Sequence, residues 1–288
     1  MNPKPALTMA ALLLAAAGTA QADPLTLSVH VGPDSGSAAQ SCDPPAGGSS
    51  GSTTQLFSTT CSRSDVGTAS GTGIAAAGHV GASAQAGSHN GNSLGVNIGA
   101  QGLYDDFLVF TSSDPTQTTA LVSLNLLLQG TMSAGTSLDG GGANASLRAF
   151  TILGSTGFEL RMDVAGGISL DDYQLDSGSL GPLTDAHLHT GALTVPLNSP
   201  VHLRLDLEVG AGASGPGSLA LADFAASSFR FADGDVFTLP AGVTVNAGSY
   251  LVDNRFIDPL LPVPEPAGWA LLLAGLSVVL LLRARQRG

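Results

Sequence analysis

Asp185, His187 and His189 stand two residues apart in the stretch DAHLHT. In an extended strand, positions i, i+2 and i+4 share one face. Two imidazoles and a carboxylate so arranged suit Zn²⁺ or a similar ion. A closed centre needs further ligands, and the sequence singles out none to complete it. A wet face on an edge strand accounts for the same three residues. Carboxylates cluster at Asp105-Asp106, at Asp171-Asp172 with Asp176, and at Asp233 with Asp235. Oxygen-rich loops on β-sandwiches hold Ca²⁺, so Ca²⁺ is the one cofactor that acidity alone admits. Neither EF-hand spacing nor a Gly-Gly-x-Gly-x-Asp repeat occurs, and solvated turns account for these acids. Gly47–Gly51 reads GGSSG and fits G-x-S-x-G. The nucleophile elbow, however, needs that motif between a strand and a helix, and here it lies in a Gly/Ser loop. His79 and His89 lie in low-complexity sequence and read as incidental. No Ser-His-Asp constellation can be assembled. The expectation is a protein without catalytic residues, not an enzyme.

The aromatic residues and the charge narrow the partners. The single Trp, Trp269, sits in a terminal apolar run, so the rest of the chain offers three tyrosines, Tyr104, Tyr173 and Tyr250. Sugar-binding surfaces stack rings against exposed Trp or Tyr, and this scarcity weighs against a carbohydrate-binding module. The ten Phe read as core residues. Between Asp23 and Pro262 there are six Arg, no Lys and 21 acidic residues, a formal charge of 6 − 21 = −15. Such a surface repels nucleic acid and anionic headgroups.

The elements that must carry these residues read as β-strands. Val201–Val209 (VHLRLDLEV) alternates strictly, with Val201, Leu203, Leu205, Leu207 and Val209 on one side. His202, Arg204, Asp206 and Glu208 lie on the other, so one face is core and one is wet. Further strands are expected at Leu25–Val31, Leu121–Leu128, Ser146–Leu153, Phe158–Val164, Val236–Leu239 and Val243–Val252. Turn signals separate them at Ser113-Asp114-Pro115, Leu138–Gly142, Ala165-Gly166-Gly167, Gly210–Gly217 and Asp233-Gly234. Short strands at this spacing predict an all-β, antiparallel β-sandwich or jelly-roll-like body. Leu221–Phe231 fits a short helix or an interrupted strand. Val66–Gly102 consists almost wholly of small and polar residues. It buries too little apolar area to drive folding, so it reads either as disordered or as strands whose small side chains pack under a neighbouring sheet, and its alternation favours strands.

Both ends carry address-like patterns. Lys4 precedes the twelve-residue apolar run Ala6–Ala17, and Ala20-Gln21-Ala22 fits the small-x-small rule of signal peptidase. Twelve helical residues rise about 18 Å, short of a hydrocarbon core about 30 Å thick. The pattern predicts a signal peptide over 1–22, with Asp23 as the new N-terminus. In an exported chain an even cysteine count favours a disulfide, here Cys42–Cys61. It would close 18 intervening residues, worth about 3 kcal/mol in the chain-entropy account.

At the other end, Asp258–Pro266 reads DPLLPVPEP, Ala267–Leu282 gives sixteen uncharged residues, and Arg283, Arg285 and Arg287 follow. The apolar run rises about 24 Å. The arginines hold the tail on the cytoplasmic side and leave the acidic bulk outside. The order of Val263-Pro264-Glu265-Pro266, apolar helix and terminal arginines resembles the PEP-CTERM sorting signal. The resemblance covers about 26 residues. It implies a Gram-negative source, recognition by an exosortase (a membrane cysteine transpeptidase), and cleavage near Pro264–Pro266. It further implies residence in the inner membrane only until processing, then delivery to the cell surface or an extracellular matrix, in bacteria that make exopolysaccharide and biofilm. Surface components and exopolysaccharide are the partners it suggests. The organisation expected is a signal peptide at 1–22, a disulfide-looped segment at 23–65 and a β-sandwich body at 66–258. A Pro-rich linker at 259–263 and the sorting signal at 264–288, with its transmembrane helix at 267–282, complete it.

Overall fold

The computed structural model describes residues 26–32, 41–43, 48–50, 54–63, 67–89, 95–136, 141–164, 167–171, 173–225, 229–247 and 250–258, the first four stretches by backbone alone. Ala20 and Ala22, the linker, the Val263–Pro266 motif, the apolar run after it and Arg283, Arg285 and Arg287 lie outside the described residues.

Every described element is a strand. In chain order they are β1 (Thr26–Gly32), β2 (Ser41–Asp43), β3 (Gly48–Ser50), β4 (Thr54–Arg63), β5 (Gly67–Ala76), β6 (His79–Ser88) and β7 (Gly95–Ser112). Then come β8 (Thr119–Gly135), β9 (Gly142–Leu153), β10 (Thr156–Asp163), β11 (Gly167–Asp171), β12 (Tyr173–Ser179), β13 (Leu183–Thr190) and β14 (Leu193–Pro196). The last are β15 (Pro200–Ser214), β16 (Leu219–Asp223), β17 (Phe229–Phe231), β18 (Phe237–Thr238), β19 (Val243–Asn246), β20 (Leu251–Val252) and β21 (Arg255–Phe256).

Two antiparallel sheets face each other across one apolar core. The first runs β11-β10-β9-β15-β7-β1-β3, with β19 added along β7. The second runs β12-β13-β8-β16-β6-β5-β4-β2, with β14, β17 and β18 along β8. The expected all-β, antiparallel class is therefore the one found. Residues 26–63 contribute strands to both sheets: β1 pairs with β7 and β4 pairs with β5.

The VHLRLDLEV alternation holds on its apolar side, where Val201, Leu203, Leu205, Leu207 and Val209 are all buried. Asp206 departs from the wet face expected of it and is buried too. It is covered because its neighbours fold over it: Gln101 donates to one carboxylate oxygen at 2.7 Å and Arg204 to the other at 2.8 Å.

Among the described residues the small-residue stretch is strand over Gly67–Ala76, over His79–Ser88 and from Gly95 onward, as its alternation suggested. Ala75, Ala82, Ala84 and Ala86 are fully buried against Val96, Ile98 and Ala100. Little apolar area per residue is offset by close approach of the sheets. Gly102 marks the tightest point, since a Cβ there would lie 2.2 Å from the Ile74 carbonyl oxygen across the core.

Leu221–Phe231 resolves into β16 and β17 around the buried Phe224. The single strand expected over Val243–Val252 is two, β19 and β20. Among the phenylalanines, Phe110, Phe158, Phe224, Phe229, Phe231 and Phe237 are buried as expected, whereas Phe107 and Phe150 occupy outward positions and are half-buried.

Candidate functional site

DAHLHT forms β13, and its exposure alternates as a half-wet strand requires, with Asp185, His187 and His189 on the solvent side. The three do not converge. Asp185 accepts from Gln129 Nε2 at 2.9 Å. His189 Nδ1 lies 2.6 Å from Asp176 Oδ1. Asp176 is brought there by the irregularity between Leu175 and Ser177 in β12, as bulges re-aim side chains. Among the described residues, no three His, Cys, Asp or Glu side chains come together as a metal group.

The Asp105-Asp106 pair is split by the strand pleat, and Asp172 lies outside the described residues. On β7, Asp105 points outward and lies 2.8 Å from His202 Nε2, whose ring stands over Phe107 with centroids 5.2 Å apart. Asp106 points inward and is buried. Its carboxylate accepts from the Tyr250 hydroxyl; the Tyr104 hydroxyl donates to Tyr250 at 2.7 Å and stands 3.4 Å from the same carboxylate oxygen. Burial and the adjacent Asp106 charge push both phenols well above their ordinary range. Asp233 is chelated by Arg230 at 2.5 and 3.1 Å, and these bonds hold its carboxyl below the usual range. Ser49, the central residue of the GGSSG match, lies in β3 opposite Ser28, an edge-strand position and not a strand-to-helix corner.

His79, which the sequence marked as incidental, is buried at the start of β6, its Nδ1 2.8 Å from Asp258 Oδ2. This pair ties the last described residue to the second sheet. Phe256, packed edge-on to Phe231 at 5.3 Å, and the Asn254 amide, bonded to both backbone groups of Phe237, fasten the same segment.

One polar surface is missed when each strand is read alone. On the outer face of the first sheet, Glu208, Arg148, Arg161 and Ser169 form one transverse row across β15, β9, β10 and β11. Glu159 accepts from Arg148 and, at 3.0 Å, from Arg161, and Arg148 stands 3.9 Å from Glu208. Bonding to Arg148 first, and to Arg161 next, lowers the Glu159 pKa. The Arg148 guanidinium also sits 5.2 Å over the Phe150 ring. Beside this row the next one, Gly210, Ser146, Asp163 and Gly167, is low, and a hollow of about 500 Å³ opens between them. A second hollow of about 470 Å³ continues along β15 over Asn144, Gly212 and Asn97. Each strand reads only as alternating, and the row exists only once the register aligns four of them. Chemically the surface offers guanidinium and hydroxyl donors beside carboxylate acceptors, which suits hydrogen bonding more than proton transfer.

No known protein family, curated protein or solved structure matches this chain.

Proposed function

We propose that this chain is an exported, exosortase-processed surface or extracellular-matrix protein of a Gram-negative bacterium, with a structural or adhesive role and no catalytic activity. In this reading the β-body is jelly-roll-like, the N-terminal run is a removed signal peptide, and the C-terminal run is a transient membrane helix. The observation that carries it is the order of the tail, Val263-Pro264-Glu265-Pro266, then an uncharged run, then Arg283, Arg285 and Arg287. It follows directly on a body whose last described residue, Asp258, is clasped to the sandwich. An antiparallel β-body suits display outside the cell, where stability without cytosolic upkeep is needed. The intact mass of the mature protein from its native host tests the reading. Loss of residues 1–22, an end near Pro264–Pro266 and the absence of two thiol hydrogens are expected. A full-length mass recovered from the cytosol would falsify it.

The outer-face hollows favour a second reading, a module that binds a glycan at the surface. The charges around the first hollow sum to about −1 (Arg148 and Arg161 against Glu159, Glu208 and Asp163), so a neutral glycan fits better than an acidic one. Retardation of the protein in gels containing a neutral polysaccharide, lost in Ser146→Leu and Arg161→Ala, is the result expected of this reading. Equal mobility with and without polysaccharide rules it out.

A further inference from the structure

The two sheets do not close over each other at the β11–β12 side. β11 is the outermost strand of the first sheet and β12 the outermost of the second. On β11, Leu170 and Ile168 lie opposite Leu160 and Met162, which are buried, so both point to the core side of the sheet. Yet they are 38 % and 49 % exposed. Leu175 on β12 lies opposite the buried Leu188 and is 42 % exposed. Three core-facing side chains at one edge therefore stand in solvent. Edge strands are ordinarily guarded against pairing by lysine, proline, a bulge or an inward charge. The sequence of β11, Gly-Ile-Ser-Leu-Asp, has none of these.

We infer that this edge is the interface with a second copy of the chain, joined by antiparallel pairing of β11 with β11 about a two-fold axis at Ser169. The sequence of the strand is self-complementary in that register. Ile168 meets Leu170 of the second copy, and Leu170 meets its Ile168, extending the apolar core across the axis. Asp171 falls opposite Gly167, so the one charged residue of the strand never faces itself. On the outer face, Arg161 lies opposite Ser169 in the next strand and its side chain is 64 % exposed. At ordinary strand spacing and rise, its Cα is about 12 Å from that of Asp171 in the second copy. A guanidinium and a carboxylate reaching toward each other span that distance, and the symmetry makes the contact twice. The formal charge of −15 over 23–262 opposes non-specific association, and this edge is where an exposed arginine and an exposed aspartate stand to be exchanged. An isologous contact of this kind closes at two copies. A short ladder of this size belongs to the weak class of interfaces, with dissociation constants around micromolar.

Sedimentation of the full-length protein over a concentration series tests the inference, with circular dichroism confirming that each variant is folded. The expected result is a monomer–dimer equilibrium whose dissociation constant rises about tenfold or more in Ile168→Lys and Leu170→Lys. Asp171→Arg alone weakens the dimer by placing two arginines in reach of each other, and Asp171→Arg combined with Arg161→Asp restores it. A monomer at every concentration overturns the inference. So does a dimer indifferent to Ile168→Lys and Leu170→Lys.

Discussion

Asp105 and Asp106 are neighbours in the chain and meet opposite environments, one paired with His202 in a half-wet outer row, the other held by two phenols inside the core. A buried carboxylate persists only when its oxygens are bonded. Here Tyr250 and the Phe107 amide, at 2.7 Å from Oδ1, supply the donors, and Tyr104 in turn donates to Tyr250. Tyr250→Phe removes one of them and is expected to cost about 1–3 kcal/mol, read by urea denaturation. The three tyrosines also set an alkaline limit. Burial raises the Tyr173 phenol, with the Thr151 hydrogen bond partly opposing it, and it raises Tyr104 and Tyr250 as well. A raised phenol is neutral in the folded state, so the unfolded chain loses its proton first. Stability is full below about pH 10 and falls as pH rises beyond it. Unfolding free energies measured from pH 8 to pH 11.5 should show that decline, and Tyr173→Phe should make it shallower. Glu159 works in the opposite sense, because its lowered pKa is a contribution present near neutrality. That contribution fades as pH drops below about 4.5, and Glu159→Gln should flatten the acid limb of the same profile.

At the scale of elements, the small residues of β5, β6 and β7 are what allow the two sheets to approach. Gly102 has an ordinary strand environment in its own sheet, but the opposing sheet leaves it no room: the Gly81 carbonyl oxygen would be 2.8 Å from an added Cβ, in addition to that of Ile74. Both obstacles are backbone, which cannot swing aside as a side chain can. Gly102→Ala is therefore expected to lower stability by about 1–3 kcal/mol, and Gly102→Val by more, read by thermal denaturation against the parent. Gly135 serves as control, since nothing lies within 4 Å of an added Cβ there, and Gly135→Ala should leave the midpoint unchanged. The register between β2 and β4 sets Cys42 directly opposite Cys61. Directly opposed antiparallel residues are about 4.5–5.5 Å apart at Cα, inside the range a disulfide spans. Oxidised protein should resist thiol labelling until reduced, and Cys61→Ser should lower its stability by about 2–4 kcal/mol.

Across the whole molecule, polar pairs bolt the layers and the segment 250–258 together. Tyr173 on the second sheet donates to Thr151 on the first at 2.6 Å, and His79 with Asp258 fixes the exit of the chain beside β17. Residues 250–258 supply Tyr250, Leu251 and Phe256 to that packing. A chain ended before Tyr250 should lose cooperative melting, whereas one ended after Asp258 should melt as the parent does. Differential scanning calorimetry distinguishes the two.

The residue order alone determined the all-β class and the pleat. Alternation at Val201–Val209 and at Asp185–His189 assigns each side chain to a face through the two-residue repeat of a strand, with no knowledge of neighbours. It also carried the terminal patterns, whose physics depends on local hydropathy and charge. Only the tertiary structure decided which strands adjoin, because pairing joins residues more than a hundred positions apart, as Gln101 joins Asp206. That is why the buried Asp206, the His79–Asp258 clasp, the four-strand row of Arg148, Arg161 and Glu208, and the open β11 edge were invisible beforehand. Each is a property of register between distant segments, and a single chain read in order carries no signal of it.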